Sequence, residues 1–207
     1  MNKEYTTLSD YGEASFTEKR SEFIGYAMPV ETEQDALDFI SQIKKKHSDA
    51  RHNVYAYIVR ENNTIRFTED GEPKGTAGSM VLEVMKKSGI TDAVIVVTRY
   101  FGGILLGTGG LTRAYTKAAS DAIASSGISV MKELTEFDIT CSFKDHDRIR
   151  YALQSYKYRA DKTDFSSNVT MSCAATHDIY EQIKKAVTEL TGDRATVSIT
   201  GSRFGAE

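Results

Sequence analysis

The residues with the most chemical content run from Thr98 to Arg113: Thr98-Arg99-Tyr100-Phe101-Gly102-Gly103-Ile104-Leu105-Leu106-Gly107-Thr108-Gly109-Gly110-Leu111-Thr112-Arg113. Nine of the fifteen glycines of the chain lie between Gly71 and Gly110, so backbone can come close to a partner there. The stretch joins an apolar run to an amphipathic one. A helix starting near Gly109-Gly110 would offer unpaired N–H groups and the positive end of its dipole, which is the chemistry of anion binding. Arg113, expected in the first helical turn, opposes that dipole at a cost of about 0.3–1 kcal/mol and calls for a negative neighbour. A ligand phosphate would serve, and so would Glu69, Asp70 or Glu72. Arg99, Gly102, Gly103, Gly107, Thr108, Gly109, Gly110 and Arg113 are therefore the candidate anion or nucleic-acid site, with Lys19, Arg20 and Lys74 as further cations. The alternative is structural: glycines for a tight strand-to-helix crossing, and Arg113 in an internal ion pair. The glycine spacing matches neither a Walker A loop nor a dinucleotide fingerprint.

Glu69, Asp70 and Glu72 surround the turn pair Asp70-Gly71, and His52 precedes an apolar run. Three acids and a histidine could hold a cation or move protons; an exposed acidic hairpin tip and a hydrogen-bonded structural histidine are the plainer readings. No zinc-protease helix, Cys-x-x-Cys pair, nucleophile elbow or calcium loop is present, so no cofactor and no metal are expected.

These residues need elements to hold them. Glu13–Arg20 and Glu22–Pro29 are predicted strands. Thr32-Glu33-Gln34-Asp35 resembles a helix start ahead of Ala36, Leu37, Ile40 and Ile43, and Lys44-Lys45-Lys46-His47 suits its end. Val54–Val59 is a predicted strand, and Thr64–Thr68 with Pro73–Thr76 a hairpin around Asp70-Gly71. Ser79 is the predicted cap of a second helix that stops at Gly89. Ala93–Thr98 is apolar at every position but the last, as in a strand covered on both faces, and Arg99 at its end stands where open α/β sheets place ligands. Leu111, Ala114, Tyr115, Ala118, Ala119, Ala122 and Ile123 form a helical stripe that ends before Gly127.

From Ile128 to Thr191 there is no glycine, and the pattern becomes strand, helix, strand, strand, helix, strand, the ferredoxin-like split βαβ order. A boundary near residue 131 follows, giving domains 1–131 and 132–207 in an α+β protein. Cys141 and Cys173 fall on apolar strand faces and are read as buried and reduced.

Composition narrows the partners. The 207 residues allow one large or two small domains, and 40% hydrophobic with 27% charged residues is globular usage. No apolar window is long enough for a membrane span, and the opening residues lack a signal core, so no membrane partner and a cytoplasmic location are expected. Residues 1–130 carry 15 Lys/Arg against 17 Asp/Glu and residues 131–207 carry 11 against 12, which together make the net charge of −3. Binding to RNA would need a local patch.

The block Thr68-Glu69-Asp70-Gly71-Glu72-Pro73-Lys74-Gly75-Thr76-Ala77-Gly78, followed by Val96-Val97-Thr98-Arg99-Tyr100-Phe101-Gly102-Gly103 and Leu106-Gly107-Thr108-Gly109-Gly110-Leu111-Thr112-Arg113-Ala114-Tyr115, closely resembles the signature of the YigZ/IMPACT family. Lys19-Arg20-Ser21-Glu22-Phe23-Ile24 and Arg51-His52-Asn53-Val54-Tyr55-Ala56-Tyr57 fit its amino-terminal pattern, and the remainder is similar to the small carboxy-terminal domain of bacterial members. The resemblance implies a first domain with the fold of the second domain of ribosomal protein five, shared with elongation factor G and a class of small-molecule kinases. It implies a ferredoxin-like second domain. Eukaryotic members act in translational control through a separate amino-terminal domain, for which too few residues precede residue 15, so that activity is not expected here.

Three functions compete. The first is a translation-related binding module contacting RNA, the ribosome or a translation factor through the glycine-rich stretch, Arg99, Arg113, Lys19, Arg20 and Lys74. The second is an enzyme on a phosphate-bearing small molecule, with Asp70 or Glu72 and His52 supplying metal or proton chemistry. The third is a protein-partner adaptor whose glycines are purely structural. The first is preferred, and enzymatic activity is the lesser expectation.

Overall fold

The computed structural model describes residues 4–206. By internal contacts the chain divides into a unit of Tyr5–Ser129 and a unit from Val130 onward that also takes in Glu4.

In the first unit, the strands β1 (Glu4–Leu8), β2 (Gly12–Glu18) and β3 (Ser21–Pro29) precede α1 (Glu33–Lys46). Then come β4 (His52–Val59), β5 (Thr64–Thr68), α2 (Gly78–Lys87), β6 (Ala93–Tyr100) and α3 (Gly107–Ser126). The sheet order is β2-β3-β6-β4-β5, and every pairing in it is antiparallel. The apolar run of β6 is explained by its central place. Ala93, Ile95 and Val97 pack under α2 and α3 with Phe23, Val54 and Ala56, while Val94 and Val96 pack under α1 with Tyr26, Tyr57 and Ile40. Thr32 caps α1 in a full capping box with Asp35, and three lysines close it.

Three expectations fail locally. Pro73–Thr76 is not a strand: β5 pairs with β4, and residues 69–77 form a loop in which Asp70 and Gly71 take φ of +44° and +87°. Ser79 is not the cap of α2 but its second residue. The cap comes from Glu69, whose carboxylate accepts the N–H groups of Gly75, Ala77 and Gly78 at 3.0, 2.8 and 2.9 Å and the Ser79 hydroxyl at 2.9 Å. Finally, α3 begins at Gly107, earlier than its apolar stripe suggests, because the stripe marks only the face against the sheet.

The second unit holds β7 (Ile128–Cys141), α4 (Phe143–Ala152), β8 (Arg159–Phe165), β9 (Val169–Ala175), α5 (His177–Thr191) and β10 (Thr196–Ala206). Its strands lie in the order β10-β7-β9-β8, all antiparallel, as the split βαβ pattern requires. Phe137, Ile139, Met171 and Val169 meet Ile149, Leu153, Ile183 and Val187 in one core. Cys141 and Cys173 are free and buried in that core, and burial pushes the Cys173 thiol up to about 12.

Candidate anion-binding pocket

Strand register builds the floor of a pocket in the first unit. Arg99 on β6 sits opposite His52 on β4 and Phe23 on β3, all on the face under α2 and α3. Arg99 is only 5% exposed, so its charge needs a partner, and the loop after β5 supplies one: Nη1 donates to Glu72 Oε1 at 2.6 Å. Tyr115, fully buried on α3, donates its hydroxyl to the same oxygen at 2.8 Å. Burial and the Glu72 carboxylate push the Tyr115 hydroxyl far above the usual phenol range, so it stays a donor. His52 Nε2 stands 3.8 Å from that oxygen, and its Nδ1 donates to the Asp70 carbonyl at 2.8 Å.

One buried donor of the guanidinium is left over: Arg99 Nε has no hydrogen-bond partner among the described residues. The residue also helps to line a cavity of about 330 Å³, together with Arg51, His52, Glu72, Pro73, Phe101, Leu105, Leu106, Gly107, Thr108 and Leu111. Gly107 and Thr108 belong to the opening turn of α3, whose first N–H groups have no intrahelical acceptor. Two guanidinium groups lie within cation–π distance of the Phe101 ring, that of Arg99 at 5.5 Å and that of Arg51 at 5.6 Å. The arrangement offers an anion two cations and a helix start inside a largely apolar wall.

The glycines have identifiable reasons. A methyl at Gly102 would overlap the Arg20 carbonyl, so the β2–β3 turn and the loop after β6 fit only with glycine there. Gly103 and Gly107 take φ of +82° and +69°, the second at the helix entry itself. Gly109 and Gly110 lie within the first turn of α3.

The remaining candidates are distributed unevenly. Arg99, Gly107, Thr108, His52 and Glu72 come together at the pocket. Arg113 does not: it is seven residues into α3 counting Gly107 as the first, exposed, beside Gly109, and without an ion pair among the described residues. The dipole argument for it fails because the helix starts two to three residues earlier, and the expected partners Glu69, Asp70 and Glu72 are engaged elsewhere. The sheet around Arg99 is antiparallel, so the ligand rule for parallel α/β sheets does not explain its position either. Lys19 and Arg20 form the exposed β2–β3 turn with φ of +46° and +67°, and Lys74 is exposed one residue beyond Pro73. The acids are not a shared cluster: Glu69 caps α2, Asp70 accepts the Asn53 N–H at 2.6 Å, and Glu72 holds Arg99. Burial alone would raise the Glu69 carboxyl, but the Ser79 hydroxyl and three N–H groups hold it below its ordinary value. Among the described residues no group of three His, Cys, Asp or Glu side chains is placed to bind a metal ion. Sequence reasoning missed Arg51, Phe101 and Leu105 as pocket walls, although Arg51-His52 at the start of a strand beside the end of another was the signal available.

Comparison with known proteins places this geometry in a family. The model of the Impact N-terminal domain matches residues 19–123, and a domain of unknown function, DUF1949, matches residues 139–194. The IMPACT family member YvyE of Bacillus subtilis is 36% identical over 198 residues, spanning 95% of this chain and 91% of that one. The chain belongs to the IMPACT family. IMPACT family member YigZ of Escherichia coli is 31% identical over 159 residues, covering 75% of this chain and 78% of its own. Protein IMPACT of Oryctolagus cuniculus is 34% identical over 102 residues, which covers 47% of this chain and 32% of that one. A crystal structure described as that of a hypothetical protein superposes with a TM-score of 0.61 at 26% identity, over 95% of this chain and 97% of the other. Among the described residues of this IMPACT family member, no helix is long and apolar enough to cross a membrane.

Proposed function

We propose that this IMPACT family member is a translation-related binding module whose pocket in the Tyr5–Ser129 unit receives a phosphate group of RNA, free or on the ribosome. The observation that carries the reading is Arg99: a nearly buried cation whose buried Nε has no partner among the described residues, on the lining of a cavity that the opening turn of α3 also lines. A buried charged donor without a partner costs more than the roughly 1–3 kcal/mol of a neutral one, and an anion in the cavity offsets that cost. Lys19, Arg20, Lys74 and Arg113 are exposed cations of the same unit that add long-range attraction. With a net charge of −3 the body of the protein contributes none, so binding is modest and salt-sensitive.

Filter binding of a single-stranded RNA at several salt concentrations tests this. Arg51→Ala, at an exposed residue, weakens binding and lowers the salt slope by about 0.7, the value of one single-strand phosphate contact. Arg113→Ala, off the pocket lining, changes binding less. Equal binding by Arg51→Ala and the unaltered protein overturns the proposal.

A second reading, an enzyme on a phosphate-bearing small molecule, draws on His52. Its Nδ1 is committed to a carbonyl, so Nε2 is the nitrogen that faces the pocket and could exchange a proton with a bound group. Loss of turnover in His52→Gln with phosphate binding retained is its test.

A further inference from the structure

We infer that the pocket takes a nucleotide with a terminal phosphate monoester, rather than an internal phosphodiester of a continuous strand. The inference rests on the anion reading above and adds the identity of the group attached to the anion. Its first support is the shape of the lining. Arg99 and Glu72, at 5% and 8% exposure, form the buried end, and Phe101, Leu105 and Gly107 are exposed at the mouth. An internal diester reaching Arg99 would have to carry its chain both in and out through that mouth. A monoester has one attachment and leaves by one path.

The second support is the wall. Pro73, Phe101, Leu105, Leu106 and Leu111 surround the cations with apolar surface, and Leu105 is 82% exposed, a large cost for a side chain with nothing to cover. Inorganic phosphate would leave that surface bare. A planar ring next to the phosphate would cover it, lying against Leu105 and the exposed part of Phe101. The volume of about 330 Å³ lies at the lower end of ordinary small-ligand sites and accommodates one nucleotide, not several. The third support is charge. Glu72 cancels part of the Arg99 charge, and a monoester, with close to two negative charges at neutral pH, competes for the remainder better than a singly charged diester.

Calorimetric titration of the full chain with inorganic phosphate, adenosine, adenosine 5′-monophosphate and adenosine 3′-monophosphate decides the matter. A hydroxyl-ended oligonucleotide and its 5′- and 3′-phosphorylated forms distinguish a free nucleotide from a strand end. The expected result is that at least one monophosphate binds about tenfold or more tightly than inorganic phosphate while adenosine shows no binding. Phe101→Ala should weaken the monophosphate by at least about fivefold, the lower end for loss of one stacked base, and Leu105→Ala should weaken the monophosphate while leaving inorganic phosphate unchanged. Leu105 is so exposed that its replacement does not threaten folding. Equal affinity for inorganic phosphate and both monophosphates overturns this inference and leaves the anion reading standing. Equal binding of hydroxyl-ended and phosphorylated oligonucleotides, with no monophosphate binding, also overturns it. If neither phosphate nor any nucleotide binds, both readings fall together.

Discussion

Glu72→Gln isolates the charge at the floor of the pocket with little change of shape. In the folded protein the Glu72 carboxylate is the ion-pair partner of Arg99 and accepts the Tyr115 hydroxyl on the same oxygen. Removing one member of a buried pair typically costs about 3–5 kcal/mol, because the other charge is stranded. The glutamine carbonyl still accepts one hydrogen bond and returns about 1 kcal/mol. A loss of roughly 2–4 kcal/mol follows, or a fall in melting temperature of the order of 5–15 °C for a unit of this size. The assay is thermal unfolding followed by circular dichroism and tyrosine emission, since the chain has eleven tyrosines and no tryptophan. Added phosphate should return part of the loss, because an anion in the cavity replaces the missing negative charge, and should stabilise the unaltered protein less. Pairing Glu72→Gln with Arg99→Met should be less damaging than the sum of the single changes. A Glu72→Gln protein within about 0.5 kcal/mol of the original, the range of ordinary surface changes, would refute the claim that this pair carries the floor.

Four further outcomes are expected. Because the folded Glu69 carboxyl sits below its ordinary value of 4.5, it adds stability above that value which is lost as pH falls through the lower folded value; Glu69→Gln should flatten the acid limb of a melting-temperature profile, and an unchanged limb would contradict the cap. Gly102→Ala, which sets a methyl against the Arg20 carbonyl, should cost at least about 2 kcal/mol in chemical denaturation, whereas Gly75→Ala meets no atom and is limited to its backbone strain. Cys141 and Cys173, whose thiols burial raises, should react with a thiol reagent far more slowly in the native than in the denatured protein. We also propose that the two domains, divided near residue 131, are separable by limited proteolysis into two resistant pieces; a single resistant core would contradict the division.

Legibility in the sequence followed the range of the interactions involved. The capping box at Thr32 and the alternation in β7, β9 and β10 are local, so a reading of neighbours finds them. The βαββαβ order of the second unit followed from that alternation together with the helical spacing of Ile149, Ala152, Leu153 and Tyr156 and of Ile179, Ile183, Val187 and Leu190. The start of α3 was less legible, because Gly107 and Thr108 carry no apolar stripe and the spacing of the apolar residues points to a start near Gly109-Gly110. That shift of two to three residues moved Arg113 out of the first turn and made Gly107 and Thr108 the residues at the helix start. The acidic loop was legible as a concentration of charge but not as three separate duties. Glu69 caps a helix eight to ten residues ahead in the chain, and Glu72 meets Arg99 across 27 residues. Pairings of that span depend on strand register, which no single stretch of sequence specifies. The juxtaposition of His52 with Arg99 is of the same kind, set by the β4–β6 register.

The most direct test of the phosphate site is a titration of the isotopically labelled full chain with inorganic phosphate against chloride at equal ionic strength, observed by nuclear magnetic resonance of backbone amides and arginine Nε–H groups. The account predicts saturable shifts at Gly107, Thr108, His52 and the Arg99 Nε–H, each with the same dissociation constant, and little change at Arg113. Shifts confined to surface lysines, or centred on Arg113 while the Arg99 Nε–H stays unmoved, would contradict it.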